Sequence, residues 1–387
     1  MTSVGITTSE EFSGEPDPAA VAAESRVGEL LNGKWRLDAV LGVGGSAAVY
    51  AATHRSGERA AIKLLHAEYA FHERLRFRLG CEAQVLRALN HPGAVRLLEE
   101  GVCNDGELFL AMELLEGETL SQYVLRKEAR VERSQALLIG LLLLDAVIAL
   151  HARGVVHRDL TLDNVFITRS GELKLIDFGI SRLLSQAQSE AAGEVGLVVG
   201  TPGFMAPEQA RGQNRQVDRQ SDVWAVGALL FELLTGLPVH FQAHTLAEKL
   251  SLAASMPAPK LCTVDPHASP ALQGLVDRAL AFEKQQRFDD ARQMHEALFE
   301  LYVWGSAGPP PQASSQGLSA PALLAAAPSA FERSLNESRR PPGMPVRVER
   351  ARSTLWRGLR AALRRLVTAN QPRGRRLLSV ASEHAAG

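Results

Sequence analysis

At 387 residues the chain is long enough for one large two-lobed domain with tails, or for two ordinary domains. Its 46% hydrophobic and 22% charged residues are those of a soluble globular protein, and a net charge of −1 excludes a molecule that is, as a whole, a polyanion seeker or a polyacid. Cys81, Cys103 and Cys262 are far apart and form no C-x-x-C pair, which excludes a redox or metal-holding dithiol and reads as thiols of a reducing cytosol.

Residues 1–34 are acidic and rich in Ser, Gly and Pro, and are expected to form an unstructured extension. They hold no apolar segment, so no secretory signal is expected there. From Trp35 the apolar runs WRLDAVL, AAVYAATH and RAAIKLL, separated by GVGGS and HRSGE, predict an antiparallel meander. RFRLGCEAQVLRALNHPG predicts one helix against that sheet, and VRLLEEGV and ELFLAMELL two further strands. Beyond Ser121 helical patterns dominate. The run ALLIGLLLLDAVIAL, Ala136 to Leu150, contains Asp145 and is too short to cross a hydrocarbon core of ~30 Å, so it predicts a buried helix. SDVWAVGALLFELLTG and LQGLVDRALAFEKQQ predict two more helices. The fold class is therefore α+β, a strand-rich small lobe followed by a helix-rich large lobe, over residues 35–302.

Residues 303–350 are rich in Pro, Ala and Ser and predict a flexible linker. The final segment, 351–387, is rich in arginine. From Arg339 onward twelve arginines face only Glu349 and Glu383, so this part carries +10 and the rest of the chain −11. Within it RSTLWRGLRAALRRLV predicts an amphipathic helix with Leu355, Leu359, Leu363 and Leu366 on one face. Such a helix suits an anionic membrane surface or an acidic partner; an arginine-rich tail with weak attraction to any polyanion is the alternative, and specific nucleic-acid binding is not expected.

Several short stretches carry chemistry. LGVGGSAAVY, Leu41 to Tyr50, lies between two strands, so Gly42, Gly44 and Gly45 can bring backbone N–H groups to phosphate oxygens without a Cβ in the way. A plain hairpin turn is the competing reading. Lys63 ends AAIK on the third strand of the meander, and Glu82 on the next helix is the acid that would direct it. HRDLTLDN then supplies Asp159 as acceptor of a hydroxyl proton, and Asn164 with Asp177 of DFG supplies hard oxygen donors of the kind magnesium takes.

This ordered series resembles the eukaryotic-type protein kinases of the bacterial serine/threonine class. It comprises GVGGSAAV, AAIK, Glu82, HRDLTLDN, DFG, GTPGFMAPE and SDVWAVG, and covers about Trp35 to Leu301. The resemblance implies the two-lobed kinase fold, ATP and Mg2+ as cofactors, and serine/threonine hydroxyls of protein substrates as phosphate acceptors. It implies that Lys63 holds the α- and β-phosphates, oriented by Glu82, that Asp159 is the catalytic base, and that Asn164 and Asp177 hold metal. Leu41, Val49 and Ala61 join the three glycines around the nucleotide, with Met112 at the back of the adenine pocket and Glu113 and Leu115 as backbone contacts to the base. Glu208 would pair with Arg287, Asp222 would brace the catalytic loop, and Thr201 would contact Asp159. Arg158 matches an arginine that binds a phosphorylated activation segment, in which Ser181, Ser185 and Ser189 are the acceptors on offer. A cytoplasmic location, peripheral at the membrane if the tail binds there, goes with this reading.

Two positions depart from the pattern. Ala47 replaces the third loop glycine and keeps a small side chain. Thr161 replaces a lysine that lends charge to the transferring phosphate, and losing one such donor lowers the rate by about 10²–10³. An ATP-binding pseudokinase acting as a scaffold or allosteric partner is the alternative that Thr161 raises.

Overall fold

The computed structural model describes residues 17–127, 131–178 and 200–305. Chain order begins with helix α1 (Pro18–Ser25) and the two-residue strand β1 (Leu30–Leu31), followed by β2 (Trp35–Val43), β3 (Ala47–His54) and β4 (Arg59–Leu65). Helix α2 (Glu73–Leu89) leads into β5 (Leu97–Val102) and β6 (Leu108–Glu113). These strands form one antiparallel sheet in the order β1-β2-β3-β4-β6-β5.

Alternation along β4 shows why the sheet has two different faces. Ala60, Ile62 and Leu64 are buried in a cluster with Leu37, Tyr50 and Phe109, whereas Ala61 and Lys63 point the other way and stay partly exposed. Leu79 and Ala83 of α2 close a second cluster with Ala47, Leu65 and Leu110. Helix α2 ends at Asn90, which takes the left-handed conformation (φ 34°) tolerated by Asn, shortly before Pro92.

A second sheet of three short strands, β7 (Gly117–Thr119), β8 (Val165–Thr168) and β9 (Leu173–Leu175), opens the C-terminal lobe. Between β7 and β8 come α3 (Leu120–Arg126) and α4 (Arg133–His151). After β9 follow α5 (Pro207–Ala210), α6 (Arg219–Thr235), α7 (Leu246–Ser255), α8 (Leu261–Val264), α9 (Pro270–Ala279) and α10 (Ala291–Gly305). Helix α4 packs against α6 and α10 and is apolar almost all round, as a helix enclosed by other helices must be. Apart from the Arg169–Glu172 turn, the described residues belong to one compact unit.

Two expectations are corrected. The extension 1–34 is ordered over its second half: Asp17 caps α1 through the Ala19 N–H (3.0 Å), Ala23 and Leu31 enter the core, and Arg26 pairs with the buried Glu107 at 2.8 Å. Only two apolar residues of this arm enter the core, which leaves no periodic trace in sequence. The apolar run is also longer as a helix than as a run, since α4 takes in Arg133–Gln135 and His151. By length and composition it could cross a membrane, yet 83% of its most apolar window is buried inside the protein. The acidic residues before Asp17, Gly179, the serines Ser181, Ser185 and Ser189, the linker beyond Gly305 and the tail 351–387 lie outside the described residues.

Candidate active site

Lys63 is presented on β4 by its pairing with Val49 of β3 and Leu110 of β6. Its Nζ lies 2.9 Å from both Glu82 oxygens and 3.3 Å from Asp177 Oδ1. Burial works against the Lys63 ammonium, but Asp177 and Glu82 outweigh it and hold its pKa above the ordinary lysine value. Burial also pushes the Glu82 carboxyl up, to about 7, against the pull of Lys63. Three groups from β4, α2 and the segment after β9 thus converge on one charged cluster.

The β2–β3 turn carries the glycines. Gly44 N–H donates to the Ala47 carbonyl (2.9 Å), and the Gly44 carbonyl meets His66 Nε2 at 2.7 Å, so the loop is held at both ends of its tip. None of Gly42, Gly44 and Gly45 has positive φ, so strain does not demand glycine there. What glycine provides is room: a Cβ at Gly42 or Gly45 would project into open space. That space is what an approaching phosphate needs.

The catalytic-loop candidates sit on the other wall. Asp159 Oδ1 accepts the Thr201 hydroxyl (2.9 Å), and the Asp159 carbonyl accepts Asn164 Nδ2 (2.8 Å), leaving the Asn164 amide oxygen as its free donor atom toward a metal. Ile176 N–H donates to the Asn164 carbonyl (3.1 Å), which brings Asp177 alongside. An amide oxygen and a carboxylate are hard donors that fit Mg2+. Thr161 is buried, and its hydroxyl accepts the Asn164 N–H at 3.3 Å. The residue that departs from the pattern therefore serves the loop's own turn.

Below the loop lies Asp222, fully buried at the first turn of α6. It accepts the backbone N–H groups of His157 and Arg158 (2.8 Å each) and His151 Nε2 (2.7 Å). Burial opposes its ionisation, yet the hydrogen bond and charge of His151 hold its pKa below the ordinary value. Arg158 is kept at φ 65°, a strained conformation for arginine, by this grip and by Gln209, whose Nε2 donates to the Arg158 carbonyl at 2.8 Å. His157 is buried against Phe178, with ring centroids 5.5 Å apart, and burial lowers its pKa.

At the back of the cleft Met112 is buried opposite Ala61, while Leu41 is exposed and Val49 half-buried. Leu115 has no backbone hydrogen bond within the described residues, so its N–H and C=O are free for an outside ligand. Glu113 differs: its N–H already donates to the Arg96 carbonyl (2.9 Å), so a backbone contact to an outside ligand would fall to its C=O. Its carboxylate accepts Lys174 Nζ (2.5 Å) and the Arg96 N–H (2.9 Å).

Compared with known proteins, the protein kinase domain family matches residues 35–300. The chain belongs to the protein kinase family. It is 35% identical over 262 residues to the serine/threonine-protein kinase pkn3 of Myxococcus xanthus, covering 66% of this chain and 47% of that protein. It is also 35% identical over 289 residues to Pkn1 of the same organism, covering 73% and 40%. The chain thus spans under half the length of these relatives. The crystal structure of the Mycobacterium tuberculosis PknI kinase domain superposes with a TM-score of 0.56 at 26% identity, covering 71% of this chain and 97% of that one.

Members of this family use ATP and Mg2+. Within the kinase fold seen here, the sequence motifs Lys63, Glu82, Asp159, Asn164 and Asp177 all converge on one cleft. Sequence reasoning missed His151 and Gln209, which hold the catalytic loop, and Ser221, whose hydroxyl donates to Glu208 at 2.6 Å. Each makes its contact across a long sequence separation, and only His151, ending the apolar run next to the loop, left a trace.

Proposed function

We propose that the chain transfers the γ-phosphate of ATP to serine or threonine hydroxyls of protein substrates. The observation that carries this reading is the triple contact of Lys63 with Glu82 and Asp177 in the same cleft as an Asp159 held by Thr201. Lys63, fixed from two sides, would bind the α- and β-phosphates while the glycine loop covers them. Leu115 and the Glu113 carbonyl would take the adenine edge in front of Met112, between Ala61, Val49 and Leu41. Asp159 would orient the acceptor hydroxyl and take its proton. Asn164 and Asp177 would hold Mg2+, which supplies charge neutralisation at the polyphosphate when bound.

The domain arrangement we infer is a kinase domain over 35–302 whose last helix runs on to Gly305, preceded by its docked α1–β1 arm, then a linker over the rest of 303–350 and a basic tail over 351–387. The tail is read as a contact to an anionic membrane surface or an acidic partner, with the kinase cytoplasmic and, in the first case, peripheral at a membrane. Failure to co-sediment with anionic vesicles at low salt would argue against a membrane contact.

Labelled ATP, Mg2+ and a protein acceptor test the activity. Asp159→Asn is expected to lower transfer by at least about 10²-fold. Transfer by the parent no greater than by Asp159→Asn would sink the reading in favour of a pseudokinase. Thr161→Lys is expected to raise transfer, because it restores a cation to the transferring phosphate.

A further inference from the structure

Phosphoryl transfer gathers negative charge on the moving group, so a cation placed beside it lowers the barrier. From Leu160 to Asn164 the catalytic loop carries none. Thr161 is buried, and its hydroxyl is taken by the Asn164 N–H at 3.3 Å. Lys63 is directed to Glu82 and Asp177, and the Arg158 backbone is gripped by Asp222 and Gln209 with its Nε buried. Asp163, exposed two residues after Thr161, makes no ion pair among the described residues. Its charge reaches Glu232, half-buried on α6, where only Lys249 opposes it. The loop thus lacks a positive charge and favours an incoming chain that brings one.

Such a chain is present in the same protein. Where the tail begins the sequence reads VERARSTLW, Val348 to Trp356, with Arg350, Arg352 and Thr354 at alternate positions. In an extended chain alternate side chains share one side and repeat about every 7 Å. A Thr354 hydroxyl brought to Asp159 therefore carries the Arg352 side chain to the same side, within its own length of the transferring phosphate. Ser353 faces the other way. Read as a flexible linker, the residues after Gly305 span about 40 Å up to Thr354, the scale of a domain of this size.

We propose that Thr354 is a phosphate acceptor of this chain's own kinase domain, and that Arg352 supplies, from the acceptor, the cation missing at Thr161. The Thr354 oxygen bonds to the γ-phosphorus as the bond from that phosphorus to the β,γ-bridging oxygen breaks. ADP leaves, and the hydroxyl proton passes to Asp159. This role for Arg352 rests on the phosphotransfer reading and narrows the substrate class to hydroxyls with an arginine two residues before them.

The test gives the full chain ATP, Mg2+ and an added peptide of residues 346–358, VRVERARSTLWRG, in its native form and with Arg352→Gln. Phosphopeptide mapping of the chain alone is expected to find Thr354 modified. In the peptide, Arg352→Gln is expected to lower kcat about 10²-fold while KM changes less than about three-fold, whereas an arginine used for docking alone would raise KM. Arg352→Lys keeps the charge and is expected to retain most of the rate. With Thr161→Lys in the kinase, Arg352→Gln is expected to lower kcat by less than about three-fold, because the loop then carries its own cation. Label confined to residues other than Thr354, an effect on KM alone, or an equal loss of kcat in Thr161→Lys would each overturn the proposal. Absence of transfer to any acceptor by the parent would overturn the phosphotransfer reading and this proposal with it. The peptide comparison uses the parent chain, so it stands even if Thr161→Lys disturbs the buried site.

Discussion

Arg287 carries a full charge at a position where its side chain has no exposure, and Glu208 answers it with two parallel contacts of 2.8 Å. Burial opposes the Glu208 charge, but Arg287 and Ser221 hold its pKa below the ordinary value. The guanidinium also lies over the Trp224 ring, 5.0 Å from its centroid, and donates Nε–H to the Ala281 carbonyl at 2.8 Å. Removing one partner strands the other in a buried site, so Arg287→Ala is expected to destabilise the protein by about 3–5 kcal/mol. Urea unfolding showing a loss below about 1 kcal/mol would mean that the site relaxes or hydrates. Thr161 belongs to the same scale. Thr161→Val leaves the Asn164 N–H to the Thr161 carbonyl alone and is expected to cost about 1 kcal/mol, whereas Thr161→Ser keeps the acceptor and should match the parent in the same measurement.

Among the elements, the β7–β8 ladder that begins the C-terminal lobe has little tolerance. A Cβ at Gly117 would stand 2.1 Å from the Ile167 carbonyl oxygen and 2.8 Å from the Thr168 Cα, backbone atoms that cannot step aside. Gly117→Ala is therefore expected to destabilise by at least about 2 kcal/mol and to weaken ATP binding, because Leu115 is two residues away. A fully native thermal transition in Gly117→Ala would show that the ladder can be displaced without cost. Helix α6 is the rigid counterpart. Asp218 caps its start by accepting the Gln220 N–H at 2.8 Å, and Gly236 ends it at φ 74°. Between these caps it delivers Ser221 and Asp222 to their buried acceptor and donor groups. The alternating strands and the apolar helices were legible in sequence because each signal is local. Helix α1 and β1 were not: β1 pairs with the neighbouring β2 over only two residues, too few to show a period, and α1 leads into an arm tied down by the Arg26–Glu107 pair.

For the whole molecule, the pH dependence of stability follows from two opposed sets of carboxyls. Burial raises Glu232 to about 7, with Asp163 adding to the effect and Lys249 opposing it, and burial likewise raises Glu82 to about 7. A carboxyl whose folded pKa exceeds its unfolded value binds its proton more tightly when folded. Its contribution is fully present below the ordinary value of 4.5 and is lost as pH rises through about 7. Glu208 and Asp222 are lowered instead, so their contribution is present above the ordinary values and is lost on acidification. Stability is thus expected to fall between pH 5 and 7.5 by the share that Glu232 and Glu82 carry. In Glu232→Gln the urea midpoint should vary less with pH over that window than in the parent. Identical slopes would remove Glu232 from this account.

The sequence by itself determined the family, the two-lobed order of strands then helices, and the identity of the groups that converge in the cleft. It could do so because motif spacing and hydrophobic alternation are written in neighbouring residues. Only the tertiary structure decided how those groups are held. His151 meets Asp222 across 71 positions, Gln209 reaches Arg158 across 51, and Arg287 meets Glu208 across 79. Hydrogen-bond partners so far apart are chosen by packing, which pairs buried polar groups wherever the folded chain brings them together. The same packing gave Thr161 a partner in Asn164 and left His151 Nδ1 without one.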